Sequence, residues 1–233
     1  MNSVKADFSQ RASEVRRYFR FVISTANSEF EIRASQNANL ALPPEELDEL
    51  LKTLKASCYL LLYNLVESTM RNIVEAIFDE FRKENLHFDE CREEIKRLVL
   101  VNFKSRSTDK ILAKLQNIAH DVVTETFVAK ETFDGNLDAK SIRETAAKFG
   151  FVPPTDKTGW MMRSVKENRN DLAHGNKSFS DIGKDTTPDR LEAARKQTVV
   201  ILFLTIKNVS AYLAGKRYLS RNLEQIEGEV VST

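Results

Sequence analysis

Apolar residues recur at three- and four-residue steps along most of the chain, the spacing of one face of an α-helix. Val4, Phe8, Ala12, Val15, Phe19, Val22 and Ile23 form the first such stripe and predict a helix over about residues 4–34. "LALPPEELDEL" interrupts it. Pro43 and Pro44 stop one helix, and Glu45 and Glu46 suit the positive end of the next. That next helix is predicted over about residues 45–84. Tyr59, Leu62, Val66, Met70, Ile73, Ile77 and Phe81 form its stripe. Leu61, Leu65, Val74 and Phe78 widen it, which predicts burial on more than one side.

Shorter periods follow. Asp89 is the expected cap of a helix in "HFDECREEIKRLVLVNF", and Ser107 or Thr108 that of one in "STDKILAKLQNIAHDVVTETF". A turn at Asp134–Gly135 leads to a helix expected from about Asp138 to Phe149 and closed by Gly150. After the linker "VPPTDKTG", a helix is expected to begin near Trp160, with Gly175 where a C-terminal glycine cap belongs. The last long helix has Thr187 as cap and Pro188 at its first position. Nearly continuous apolarity between residues 199 and 206 predicts that it is central. No strand alternation, internal repeat or low-complexity segment is visible. The expected architecture is a single all-α domain over residues 1–233. It comprises an N-terminal helix (1–40), a core bundle (45–84 and 155–215) and a helical insertion (88–150).

Composition supports helices. Only seven glycines and five prolines occur in 233 residues, few for a turn-rich β fold, and 42% of residues are hydrophobic, enough for a core. The formal net charge of +1 announces no global nucleic-acid field, though a small site needs only a local basic patch. Cys58 and Cys91 share no metal-ligand spacing and are expected to be free thiols. The N-terminus lacks the apolar core of a signal peptide, and runs such as "VVILFL" are shorter than a bilayer requires. These features predict a cytoplasmic protein without a membrane partner.

One stretch carries candidate chemistry: "ENRNDLAHGNKSF", residues 167–179. At roughly 100° per residue, Met161, Val165 and Leu172 line up towards a core, and Asn170 and His174 share a face roughly opposite. Arg169 lies at the flank. A histidine can move a proton, and an arginine can hold a phosphate bidentately and stabilise charge building on it. RNA supplies its own nucleophile in the 2′-hydroxyl. The competing reading is helix termination, since polar and basic residues suit a C-terminal turn.

"RNDLAHG" resembles the signature of the HEPN superfamily, all-α domains with an Arg, four to six residues, then a His. Here Arg169 and His174 are separated by four residues, and the residue after the Arg is the polar Asn170. Long apolar helices precede and follow the motif, as in a HEPN bundle. The resemblance implies a metal-independent endoribonuclease with no cofactor, of the kind found in prokaryotic toxin–antitoxin and phage-defence systems. It also implies a homodimer whose two motifs line one cleft, with RNA as substrate and an antitoxin or regulatory protein as a further partner. On that reading Arg169, His174 and Asn170 are catalytic. A non-catalytic helical dimer that binds a partner protein, nucleotide or RNA is the alternative. Some toxin members carry a tyrosine two residues after the motif His, the target of a modifying antitoxin; here Asn176 stands there, so that form of regulation is not implied.

Other residues supplement the motif. Glu67, with Asn64 and Arg71 at helical spacing, is either half of a Glu67–Arg71 surface pair or an acid orienting Arg169 or His174. Asp171 is a candidate supporting residue within the motif. Lys104 and Arg106, in a locally basic segment, and Lys177, just past the motif, are candidate RNA-backbone contacts. His87 and His120 have no clustered acids or cysteines, so no metal site is expected.

Overall fold

The computed structural model of the chain describes residues 1–29, 43–104, 136–155 and 159–220. Among them the fold is all-α, with seven helices: α1 (Asn2–Ala26), α2 (Pro44–Lys83), α3 (Glu93–Lys104), α4 (Ala139–Phe149), α5 (Trp160–Ala173), α6 (Phe179–Lys184) and α7 (Pro188–Ala214). A 3-10 turn, Phe88–Glu90, precedes α3. The first helix, expected to run to about residue 34, ends at Ala26, where Ser28 takes φ 59° and Glu29 N donates to Ser24 O at 2.8 Å. The Ser107 or Thr108 cap with its helix and the Asp134–Gly135 turn lie outside the described residues.

The described residues belong to two compact units. The first comprises Lys5–Thr69 and Asp156–Leu202. The predicted stripes supply part of its core, with Phe8, Val15, Phe19 and Val22 on α1, Tyr59, Leu62 and Val66 on α2, and Met161 and Val165 on α5. Tyr63, Met162, Leu191, Ala194, Ile201 and Leu202 complete it, all buried, while Ala12 and Ile23 of the first stripe are half-buried. Polar ties reinforce it. Lys55 Nζ donates to the Thr186 carbonyl at 3.0 Å, and Arg190 Nη2 donates to Ser164 Oγ at 3.1 Å. The short α6 lies so close to α2 that a Cβ on Gly183 would come within 2.1 Å of the Lys52 carbonyl oxygen. Only glycine permits that approach.

The other unit comprises Met1–Val4, Met70–Thr155 and Phe203–Thr233. Its core is aromatic. Phe78 meets Phe149 at 5.5 Å between ring centroids, Phe81 meets Tyr218 at 5.1 Å, and the buried Tyr212 hydroxyl donates to the Phe149 carbonyl at 2.7 Å. Residues 88–104 and 136–151 therefore share one core with the ends of α2 and α7. Arg92 stitches the unit together. It holds Glu94 through two nitrogens at 2.6 and 2.8 Å and donates to the Gly150 carbonyl at 2.8 Å. Gly150 closes α4 at φ 77°, and Asp138 caps its start by accepting from Lys140 N and Ser141 N. Both ends are as the sequence predicts.

Five further expectations need correction. The helix expected to start at Asp89 starts at Glu93. Cys91 bridges to Leu219 in antiparallel fashion, with Arg92 N donating to Tyr218 O at 2.9 Å and Ser220 N to Glu90 O at 2.9 Å. That pairing engages the backbone that an earlier helical start would need. Leu61 is exposed, and Leu172 is only half-buried. On α7, apolarity all round does not mean burial all round: Ile201, Leu202 and Ile206 are buried, while Val200 is 47% and Phe203 57% exposed. Finally, α7 is long and apolar enough by composition to cross a membrane, with a best-window mean hydropathy of 1.4, of which 44% is buried within the fold. The short run "VVILFL" understates its length, and a bundle's core helix passes the same test.

Candidate active site

The motif occupies the C-terminal end of α5. Burial of Met161, Met162 and Val165 anchors this helix. Each such side chain stabilises by about 1.5–3 kcal/mol, whereas the exposed Arg163–Glu167 pair at 2.7 Å is worth at most about 1 kcal/mol. Packing, not surface charge, holds the motif in place. The end is set by a Schellman arrangement. His174 N donates to Asn170 O at 2.9 Å, Gly175 N to Leu172 O at 3.3 Å, and Asn176 N to Asp171 O at 2.8 Å. Gly175 has φ 70°, the left-handed conformation expected of the capping glycine.

Arg169 is half-buried, and its guanidinium carbon lies 4.4 Å from the centroid of the Tyr63 ring on α2. Nη1 of Arg169 donates to Asn170 Oδ1 at 2.9 Å. Arg169 and His174 differ by about 140° around the helix axis. The hydrogen bond to Asn170 turns the guanidinium towards the Asn170 side, the face shared with His174 one turn on. His174 itself is exposed. The arrangement offers a cation held in place on two sides and a proton carrier on open surface. Together these can clamp a phosphate and move a proton.

The remaining candidates distribute as follows. Asp171 is half-buried and forms an ion pair with Lys177 Nζ at 3.0 Å. That hydrogen bond holds the Asp171 carboxyl below the usual carboxylate range and raises the Lys177 ammonium above its own. The charge Lys177 offers to a phosphate is thus partly matched by Asp171. Glu67 is half-buried one turn from Tyr63 on α2, while Asn64 and Arg71 are exposed. The Lys104 side chain, Arg106 and His120 lie outside the described residues. His87 begins the 3-10 turn, where its backbone N donates to Glu90 Oε2 at 3.3 Å. Among the described residues no group of three or more His, Cys, Asp and Glu could hold a metal ion.

Tyr63 is the site residue that the sequence conceals. It lies outside the stripe predicted for α2, and nothing in its spacing ties it to the motif; only the packing of α2 against α5 shows that its buried ring seats Arg169. Asn168, also in the motif stretch, turns away: its Nδ2 donates to the Ser164 carbonyl at 2.8 Å.

A family model for MAE_28990-like HEPN matches residues 2–218. Neither the curated proteins nor the solved structures contain a match.

Proposed function

Because the chain belongs to the MAE_28990-like HEPN family, we propose that it is a metal-independent endoribonuclease that cuts RNA at a cleft formed by two copies of the motif. The observation that carries this reading is the seating of Arg169. Its guanidinium lies over the Tyr63 ring and is hydrogen-bonded to Asn170, at the helix end where His174 is exposed.

The reaction follows from those groups. The 2′-oxygen of one nucleotide attacks its own 3′-phosphorus. A new O2′–P bond forms, the P–O5′ bond breaks, and the products are a 2′,3′-cyclic phosphate and a 5′-hydroxyl. An imidazole takes the 2′-proton and an imidazolium delivers one to the departing 5′-oxygen; in a dimer, the two His174 side chains supply both. Arg169 holds the non-bridging oxygens and stabilises the charge that builds on them. Asn170 orients the guanidinium. We assign the protein to prokaryotic toxin or phage-defence effectors, acting on RNA in the cytoplasm with a regulatory partner protein.

The test is cleavage of a generic RNA by purified protein in EDTA. Arg169→Ala and His174→Ala should each lose at least roughly 10²-fold in rate while circular dichroism stays unchanged. A substrate with a 2′-deoxy sugar at the cut position should resist. Full cleavage by both variants, or cleavage of the deoxy substrate at the same bond, overturns the mechanism.

A further inference from the structure

The chain's net charge is only +1, yet arginines gather in one place. A groove of about 510 Å³ runs between α1 and α7. From α1 it is lined by Arg16, Arg17, Arg20, Ile23 and Ser24, and from α7 by Glu192 and Arg195. Four arginines therefore face a single carboxylate. That carboxylate is already matched: Arg195 holds Glu192 through two nitrogens at 2.8 and 2.6 Å, and Lys196 Nζ approaches it at 3.4 Å. By contrast, Arg16, Arg17 and Arg20 are exposed and make no ion pair among the described residues. Elsewhere on the same helix, Arg11 is neutralised by Asp7 at 2.9 Å.

The spacing on α1 is directional. Arg16 and Arg20 lie one turn apart, about 6 Å along the axis, and Arg17 stands beside them, so three guanidiniums form a track rather than a point. Repelling charges on neighbouring positions cost stability. Among the described residues no aromatic ring lines the groove, so these offer nothing on which a base could stack. Ser24 is engaged by Glu29, to which it donates at 3.0 Å. The lining suits phosphate and is indifferent to sequence.

We propose that the groove between α1 and α7 binds the phosphate backbone of RNA through Arg16, Arg17 and Arg20, as a site separate from the motif. This rests on the proposed RNA substrate. It assigns the N-terminal helix the work of holding the strand, while Arg169 and His174 cut it.

The test is fluorescence anisotropy with a single-stranded RNA oligonucleotide, in the His174→Ala background to prevent cutting. The triple variant Arg16→Gln/Arg17→Gln/Arg20→Gln keeps size and helix propensity. Each phosphate contact on a single strand contributes about 0.7 to the salt slope. The triple variant should therefore lower the slope by about 2 and weaken binding about 10²-fold near 0.1 M salt. A charge-matched control on exposed positions of α4, Lys140→Gln/Arg143→Gln/Lys148→Gln, should change binding far less. Equal loss in both variants, no loss in the groove variant, no RNA binding at all, or displacement of the RNA by equimolar ATP overturns the proposal. Separate cleavage assays on the chain with His174 intact keep the two readings apart. Full cleavage with an unaffected groove variant sinks the groove alone. Groove-dependent binding without any cleavage sinks the nuclease alone.

Discussion

A guanidinium that is to act on a phosphate needs its charge and a fixed direction, and Tyr63 bears on both. The ring 4.4 Å from Arg169 is electron-rich on its face, so it attracts the cation without consuming an N–H donor. Tyr63→Leu keeps an apolar body in the core and removes the face. A contact of this kind is worth roughly 1–2 kcal/mol when half-desolvated, so cleavage should fall about tenfold. Tyr63→Phe retains the face and should retain activity. Equal rates for the Leu and Phe variants, with melting temperatures showing both folded, would refute the role. Burial acts differently on the cysteines. It pushes the Cys58 and Cys91 thiols up to about 12, because a thiolate loses its hydration in the core. At pH 8 the thiolate fraction is then on the order of 10⁻⁴, against roughly a quarter for an ordinary thiol near 8.5. Iodoacetamide should label neither cysteine until urea unfolds the protein. Rapid labelling of the native chain, read by mass spectrometry, would show that the thiols are not enclosed.

Most helices were legible because they carry their period and their punctuation; the short α6, Phe179–Lys184, carries no apolar period and reads as a polar loop. Asp138, Gly150, Gly175 and the Thr187–Pro188 pair mark ends that the structure reproduces within a residue or two. The start of α3 was not legible, because the pairing of Cys91 with Leu219 joins positions far apart in sequence. The seating of Arg169 was hidden for the same reason, whereas the family signature of Arg169, Asn170 and His174 needed only local spacing. Helix α7 shows the limit of periodicity most clearly. A helix apolar on every side does not reveal which side is covered, and the fold covers Leu202 but leaves Phe203 57% exposed. The two neighbours should therefore respond in opposite ways to truncation. Leu202→Ala should cost about 2–5 kcal/mol as a cavity opens, and Phe203→Ala less than about 1 kcal/mol. Urea titrations of both variants decide it. A loss at Phe203 as large as that at Leu202 would mean that this face is buried in the working protein.

At the scale of the whole molecule, the proposed reaction demands an enclosure. His174 is exposed at the end of α5, and Arg169 leaves the same helix about 140° away around its axis. On open surface, in high dielectric, a lone imidazole and a lone guanidinium are weak catalysts. A second copy of the motif placed opposite would exclude water, add a second imidazole for the other proton, and double the positive charge that draws in phosphate. Activity should then depend on concentration in a way no monomeric enzyme shows. Above the dissociation constant, cleavage per chain stays constant. Well below it, the dimer fraction follows concentration, so each tenfold dilution should cost about tenfold in activity per chain. Mass in solution, measured by light scattering across the same series, should fall from two chains to one over the same range. A chain that is monomeric by mass and fully active at every concentration would place the whole reaction on one copy of the motif, and the shared cleft would be wrong.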